Sequence, residues 1–166
     1  EWMNGVYIRD MDPSDFRDAV LPLIEAANGS PLTDDQLARV ADILPHVQER
    51  AKLLPEVPAQ ITFLLGPLDG YDETSWEKAV ATPEGAVALD GAIAALESIE
   101  SWQTQDIDDA LRGMLADQEL SARKGLQPIR VAISGSTVSP PLFESLEVLG
   151  RNESLDRLRA ARARLG

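Results

Sequence analysis

The sequence predicts an all-α chain. Three observations carry that reading. Apolar residues recur at intervals of three and four in one segment after another. Cap residues stand just ahead of those segments. No two strand-like runs are placed to pair with each other.

The elements follow in chain order. Asp12-Pro13-Ser14-Asp15 opens a helix, with an Asp to cap, Pro at the first helical position and an acid in the first turn. Phe16, Val20, Leu23, Ile24 and Ala27 form its inner stripe, and Asn28-Gly29 supplies a left-handed stop. Thr33-Asp34-Asp35-Gln36 is a capping box leading a helix through Leu37, Val40 and Leu44. Pro45 is expected to end or kink that helix, with a short helix from Val47 to Leu54 after it. Ile61–Leu65 resembles a buried strand but has no partner, so it reads as a helix or helical turn. Glu73–Ala81 is a short helix carrying Trp76. Thr82-Pro83-Glu84 caps a helix with the stripe Leu89, Ile93, Leu96 and Ile99. Thr104 and Asp106 open another through Ile107, Leu111, Met114 and Leu115. Leu126–Ile133 is interrupted by Pro128. Ser139-Pro140-Pro141 starts a helix with Leu142, Phe143, Leu146 and Leu149 inward, stopped by Gly150. Asn152 is expected to cap a last helix, with Leu155, Leu158 and Leu165 inward and Arg157, Arg159, Arg162 and Arg164 outside. Turn residues cluster at Gly66–Asp72, which divides the chain into helical parts at 1–68 and 69–166.

Composition narrows the function classes. The 166 residues suffice for a buried core. There is no Cys, which excludes disulfides, thiolate nucleophiles and sulfur-ligated zinc. The single His, His46, makes a Ser-His-Asp triad a one-candidate question. No apolar run reaches the length of a transmembrane helix, and the opening residues lack a signal-peptide pattern, so a soluble cytoplasmic protein is expected. The net charge is −13. Residues 1–110 hold 6 Lys/Arg and 22 Asp/Glu, whereas residues 111–166 hold 9 and 6. The acid therefore lies in the first two thirds, and a polyanion partner fits only the last.

Chemistry is sparse. His46 beside Pro45 reads as a surface or capping residue. Asp106, Asp108 and Asp109 at a helix start complement the macrodipole. Ser134-Gly135-Ser136-Thr137 has hydroxyls and a glycine but lacks the Gly-x-x-x-x-Gly-Lys-Ser/Thr pattern and a preceding strand. No nucleophile, base and orienter come together, so neither catalytic nor metal-ligating residues are expected.

Two stretches carry a family resemblance. Glu1-Trp2-Met3-Asn4-Gly5-Val6-Tyr7-Ile8-Arg9 resembles the segment by which bacterial glutamyl-tRNA synthetases leave their catalytic region. Lys124-Gly125-Leu126-Gln127-Pro128-Ile129-Arg130-Val131-Ala132-Ile133-Ser134-Gly135, continuing into Ser139-Pro140-Pro141-Leu142-Phe143-Glu144-Ser145-Leu146 and Val148-Leu149-Gly150-Arg151, resembles that family's C-terminal signature. Gln48-Glu49-Arg50-Ala51-Lys52-Leu53-Leu54 is similar to its Glu-Arg-x-Lys-Thr-Leu segment, with Leu53 where Thr is usual.

The resemblance implies an all-helical, two-part anticodon-binding cage without the catalytic half. Neither of the family's ATP-binding signatures occurs. It implies a parent class I aminoacyl-tRNA synthetase that joins glutamate to tRNA using ATP and Mg²⁺, with no cofactor in this portion. The implied partner is the anticodon loop of tRNA for glutamate, met by a monomer away from any membrane. Arg50 then faces the third anticodon base, accepting cytosine and rejecting guanine. Arg130 stacks on or bonds another base. Ser139, Pro140 and Leu142 form a helix-start loop touching the remaining bases. The competing reading, from charge alone, is an acidic helical protein-interaction module.

Overall fold

The computed structural model describes residues 2–166. Every regular element among them is helical, and the chain divides into two compact units, one ending at Pro67 and the other spanning Leu68–Gly166.

The first unit contains α1 (Trp2–Asp10), α2 (Pro13–Asn28), α3 (Asp34–Gln48) and α4 (Val57–Ile61). Helix α2 starts as its sequence requires: the Asp12 carboxylate accepts from the Ser14 backbone N–H at 2.9 Å, and Gly29 ends the helix at φ 78°. Those hydrogen bonds from Ser14, side chain first, hold the Asp12 carboxyl below its ordinary range. Phe16, Val20 and Ile24 are buried, as are Val40, Ile43, Leu44 and Val47 of α3. The capping box at Thr33 forms in both directions. Gln36 N–H donates to Thr33 Oγ1 at 3.2 Å, and Thr33 N–H donates to Gln36 Oε1 at 2.9 Å.

The short helix expected after Pro45, over 47–54, is not formed, and Pro45 does not end α3, which passes through it to Gln48. A proline in the last turn forfeits one hydrogen bond. The turn holds because Val47 is buried and the Gln48 Nε2 donates to the carbonyls of Ile8 and Met11, each at 2.9 Å. Those bonds also fix the end of α1. The chain then turns and reaches a 3₁₀ turn at Leu54–Glu56. The apolar run after it is helical, as expected: α4 passes into a 3₁₀ turn at Thr62–Leu64. Side chains of α3 hold that turn, with Gln36 Nε2 donating to Leu65 O at 2.7 Å and Arg39 to Leu64 O at 2.8 Å.

The second unit contains α5 (Glu73–Ser75), which runs on as a π-helical turn at Trp76–Val80, then α6 (Pro83–Ser98), α7 (Thr104–Asp117), α8 (Ala122–Ser134), α9 (Leu142–Leu149) and α10 (Arg151–Leu165). Helix α6 packs on α7, α8 and α10, with α9 against α7 and α10, and Leu89, Leu96, Ile107, Leu111, Ile129, Ile133, Leu146 and Leu158 are buried among these helices. Helices α7 and α8 approach closely at Gly125, where a Cβ would meet Leu115 Cδ2 at 2.0 Å.

Helix α7 opens at Thr104 with Asp106 in its first turn, as expected. Its preceding residue, Gln103, makes no side-chain cap. Instead Glu147 of α9 reaches across, accepting from Thr104 N–H and Thr104 Oγ1 at 3.2 Å each. Nearby, Trp102 Nε1 donates to Leu146 O at 2.8 Å, and Arg151 donates to Ile99 O at 2.6 Å while lying 5.3 Å from the Trp102 ring. Asn152 does not cap α10 either. Gly150, at φ 91°, turns the chain straight from α9 into a helix that starts at Arg151.

Arg157 is the largest departure. It was expected outside but is only 6% exposed. Its Nε donates to Glu153 at 2.8 Å and its Nη1 to the Ile133 carbonyl at 2.7 Å. It shares the face of Ser154, Leu158 and Ala161, so helical spacing and not residue type decides its burial. Arg159 pairs outside with Glu97 and Asp156, Arg162 pairs with Asp90, and Arg164 lies over the rings of Tyr71 and Trp76.

Two stability predictions result. Thr33→Ala should lower the free energy of unfolding by about 1 kcal/mol in urea denaturation, because one half of the capping box is lost. Arg157→Ala should cost about 2–3 kcal/mol, since it strips a buried carbonyl of its donor and removes packed side-chain volume. Arg159→Ala, at an exposed pair, should barely move the midpoint. Equal midpoints for the two arginine variants would show that the Arg157 contact does not support the fold.

Candidate nucleic-acid interface

Helix α8 is amphipathic, with Pro128, Ile129, Ala132 and Ile133 buried and Arg130 half-buried beside them. Its C-terminus stops at Gly135, which adopts φ 81° and donates to the Val131 carbonyl at 2.8 Å. A Cβ at Gly135 would meet the Gly70 carbonyl at 2.8 Å, so backbone approach and conformation both call for glycine. The Gly135 carbonyl in turn accepts from the Asp72 N–H at 2.8 Å. Ser134-Gly135-Ser136-Thr137 is therefore a helix ending. It does not open a helix with inward N–H groups, the geometry that cradles a phosphate.

The loop that leaves α8 is pinned at two points. The Thr137 N–H donates to Ser75 Oγ at 3.2 Å. One guanidinium nitrogen of Arg130, Nη1, reaches Ser139 Oγ at 2.7 Å, the Pro140 carbonyl at 2.7 Å and the Ser139 carbonyl at 3.3 Å. Arg130, Ser139 and Pro140 thus form one cluster. Leu142, the first residue of α9, is 4% exposed, so its side chain anchors the loop in the core. Ser145 Oγ closes the start of α9 by donating to the Pro141 carbonyl at 2.7 Å. Between the pins, Val138 stands 70% exposed among the hydroxyls of Ser136, Thr137 and Ser139. Sequence reasoning passed over Val138, although an apolar residue amid Ser and Thr in a loop is a readable signal.

Arg50 belongs to the first unit. It is exposed in the turn that follows α3, where its N–H donates to the Val47 carbonyl at 3.1 Å. Ala51 and Gln48 on either side are buried, so the backbone that carries Arg50 is fixed while its guanidinium faces solvent. Leu53 is half-buried and offers no hydroxyl. His46 sits in the last turn of α3, a position the macrodipole favours for a cation. Asp108 is paired with Arg112 one turn on, and the described residues hold no group of three His, Asp or Glu side chains placed to share a metal ion. No single helix among them is long and apolar enough to cross a membrane.

The cations of the last third are mostly engaged within the fold. Arg151 and Arg157 bind backbone carbonyls, Arg159 and Arg162 bind carboxylates, and Arg164 covers aromatic rings. The positive charge counted at 111–166 is therefore largely not a free surface for a polyanion.

Comparison with known proteins gives the arrangement its family. The model of the anticodon binding domain matches residues 15–162. The glutamate–tRNA ligase of Kineococcus radiotolerans is 41% identical over 168 residues, covering 99% of this chain and 34% of that protein. The glutamate–tRNA ligase of Acidothermus cellulolyticus is 40% identical over 167 residues, covering 98% and 33%. Among solved structures, a glutamate tRNA ligase from Elizabethkingia meningosepticum in complex with its amino acid shares the fold. It has a TM-score of 0.77 at 23% identity, over 99% of this chain and 32% of that one. The chain spans about a third of the length of the curated relatives it matches. With helices that follow that pattern from α2 through α10, the chain belongs to the anticodon binding domain family.

Proposed function

We propose that this chain recognises the anticodon of tRNA for glutamate, as the tRNA-reading part of a cytoplasmic glutamate–tRNA ligase. The observation that carries the reading is the likeness to such ligases along nearly the whole chain. In the parent enzyme, glutamate is joined to tRNA with ATP and Mg²⁺. The residues present here do not fit that chemistry, since no phosphate loop opens a helix and no metal-sized carboxylate group forms among the described residues. No step of the ligation is assigned to them.

Both units, 1–68 and 69–166 in the sequence division, contribute to reading. Arg50 presents a planar, always charged fork from a fixed backbone, which suits an acceptor on the third anticodon base. On its Watson–Crick edge cytosine offers the acceptors N3 and O2, whereas guanine presents N–H donors there beside O6. Arg130 serves first as a positioning residue. Its guanidinium holds Ser139 and Pro140 in place, and the loop they form, anchored by Leu142, meets another base. The acidic remainder of the surface disfavours RNA that lacks these specific contacts. The chain works as a monomer in this reading.

Arg50→Gln keeps a donor but loses the charge and the fork. Binding to a stem-loop with cytosine at the third anticodon position should weaken by about 1–3 kcal/mol, and the preference for cytosine over guanine should narrow. Dissociation constants for the two loops check this. Equal weakening of both would mean that Arg50 holds the backbone and reads no base. Arg130→Gln should weaken both loops by the same factor, because the loop it pins serves a different base. An unchanged affinity for both would remove Arg130 from the interface. The competing reading, an acidic protein-docking module, predicts no affinity for either stem-loop.

A further inference from the structure

The second unit holds a cavity of about 510 Å³ that none of the residues assigned above explains. Its wall includes Lys78, Ser121, Arg123, Lys124, Gln127 and Thr137. Lys78 comes from the π-helical turn and Arg123 and Lys124 from the first turn of α8. Helix starts ordinarily carry acids, because the macrodipole is positive there. The first turn of α8 carries two cations and no acid, so charge and dipole add at one place. Lys124 is partly neutralised by Glu84, at 2.6 Å, and the hydrogen bond from Lys124 holds the Glu84 carboxyl below its ordinary range. Lys78 and Arg123 are exposed and form no ion pair with the described residues. Thr137 belongs both to this wall and to the loop pinned by Arg130.

In a chain of net charge −13, such a concentration of positive charge has one fitting ligand class, an anion. We propose that the cavity binds the phosphodiester backbone of the RNA strand whose base meets the Ser136–Pro141 loop, with Lys78 and Arg123 on its phosphates. Continuity through Thr137 favours this source over a free phosphate. The inference rests on the anticodon reading for the identity of the RNA. It makes Lys78 and Arg123 positioning contacts that carry no base information.

The test compares the 166-residue chain with its Lys78→Gln/Arg123→Gln variant. Dissociation constants are measured over a range of salt for the glutamate stem-loop and for one of scrambled anticodon. Both substituted side chains are exposed, and circular dichroism verifies that the variant is folded. The slope of log affinity against log salt should fall by about 1.4, two single-strand phosphate contacts. Affinity should drop by the same factor for both loops, leaving the preference between them intact. An unchanged slope, or a loss confined to the glutamate loop, would overturn the proposal. Inorganic phosphate is titrated in parallel. Saturable phosphate binding that the variant loses, with the RNA slope unchanged, assigns the cavity to a free anion and also overturns it. If the unsubstituted chain binds both loops equally and the slope still falls, the anticodon reading fails while the phosphate site stands. If it binds neither loop, both fail.

Discussion

The C-terminal end of α8 is buried, and the carbonyls of a buried helix end must each find a donor. That constraint organises the second unit. Gly135 N–H takes the Val131 carbonyl, Ser134 Oγ reaches back to the Arg130 carbonyl at 2.7 Å, and Arg157 of α10 supplies the Ile133 carbonyl. Only with those groups satisfied can the chain leave the core at Gly135 and expose the loop that follows. Helix α10, which contributes no residue to that loop, thus supports the helix end from which it departs, while Ser75 and Arg130 pin the loop itself.

The same economy of donors explains why a basic segment offers little free charge. Arginine suits buried carbonyls and aromatic faces because its guanidinium is planar, weakly hydrated and rich in N–H groups. In the second unit it is used that way repeatedly: Arg151 on Ile99, Arg157 on Ile133, Arg130 on Ser139 and Pro140, Arg164 over Tyr71 and Trp76. Specific RNA reading needs few cations so long as they are held in place, since bases are recognised by hydrogen bonding and stacking. A strongly acidic protein and an RNA partner are compatible on those terms.

The first unit solves a parallel problem with an amide. Gln48 is buried at the end of α3, and its Nε2 gives two hydrogen bonds to carbonyls at the end of α1 and just beyond it. The turn that carries Arg50 begins immediately after.

How far the sequence alone reaches follows from the range of each interaction. Helical class, the caps at Asp12, Thr33 and Thr82, and the stop at Gly29 were legible because they depend on residues within four positions of one another. The family was legible because its signature segments are contiguous. The continuation of α3 past Pro45, the Glu147 carboxylate that meets the start of α7 and the burial of Arg157 were not legible. Each depends on a partner far along the chain: Gln48 with Ile8 and Met11, Glu147 with Thr104, Arg157 with Ile133. Sequence counted the cations of the last third. Only tertiary structure decided which of them face inward, because burial is set by the helix face a neighbour covers and not by the charge the residue carries.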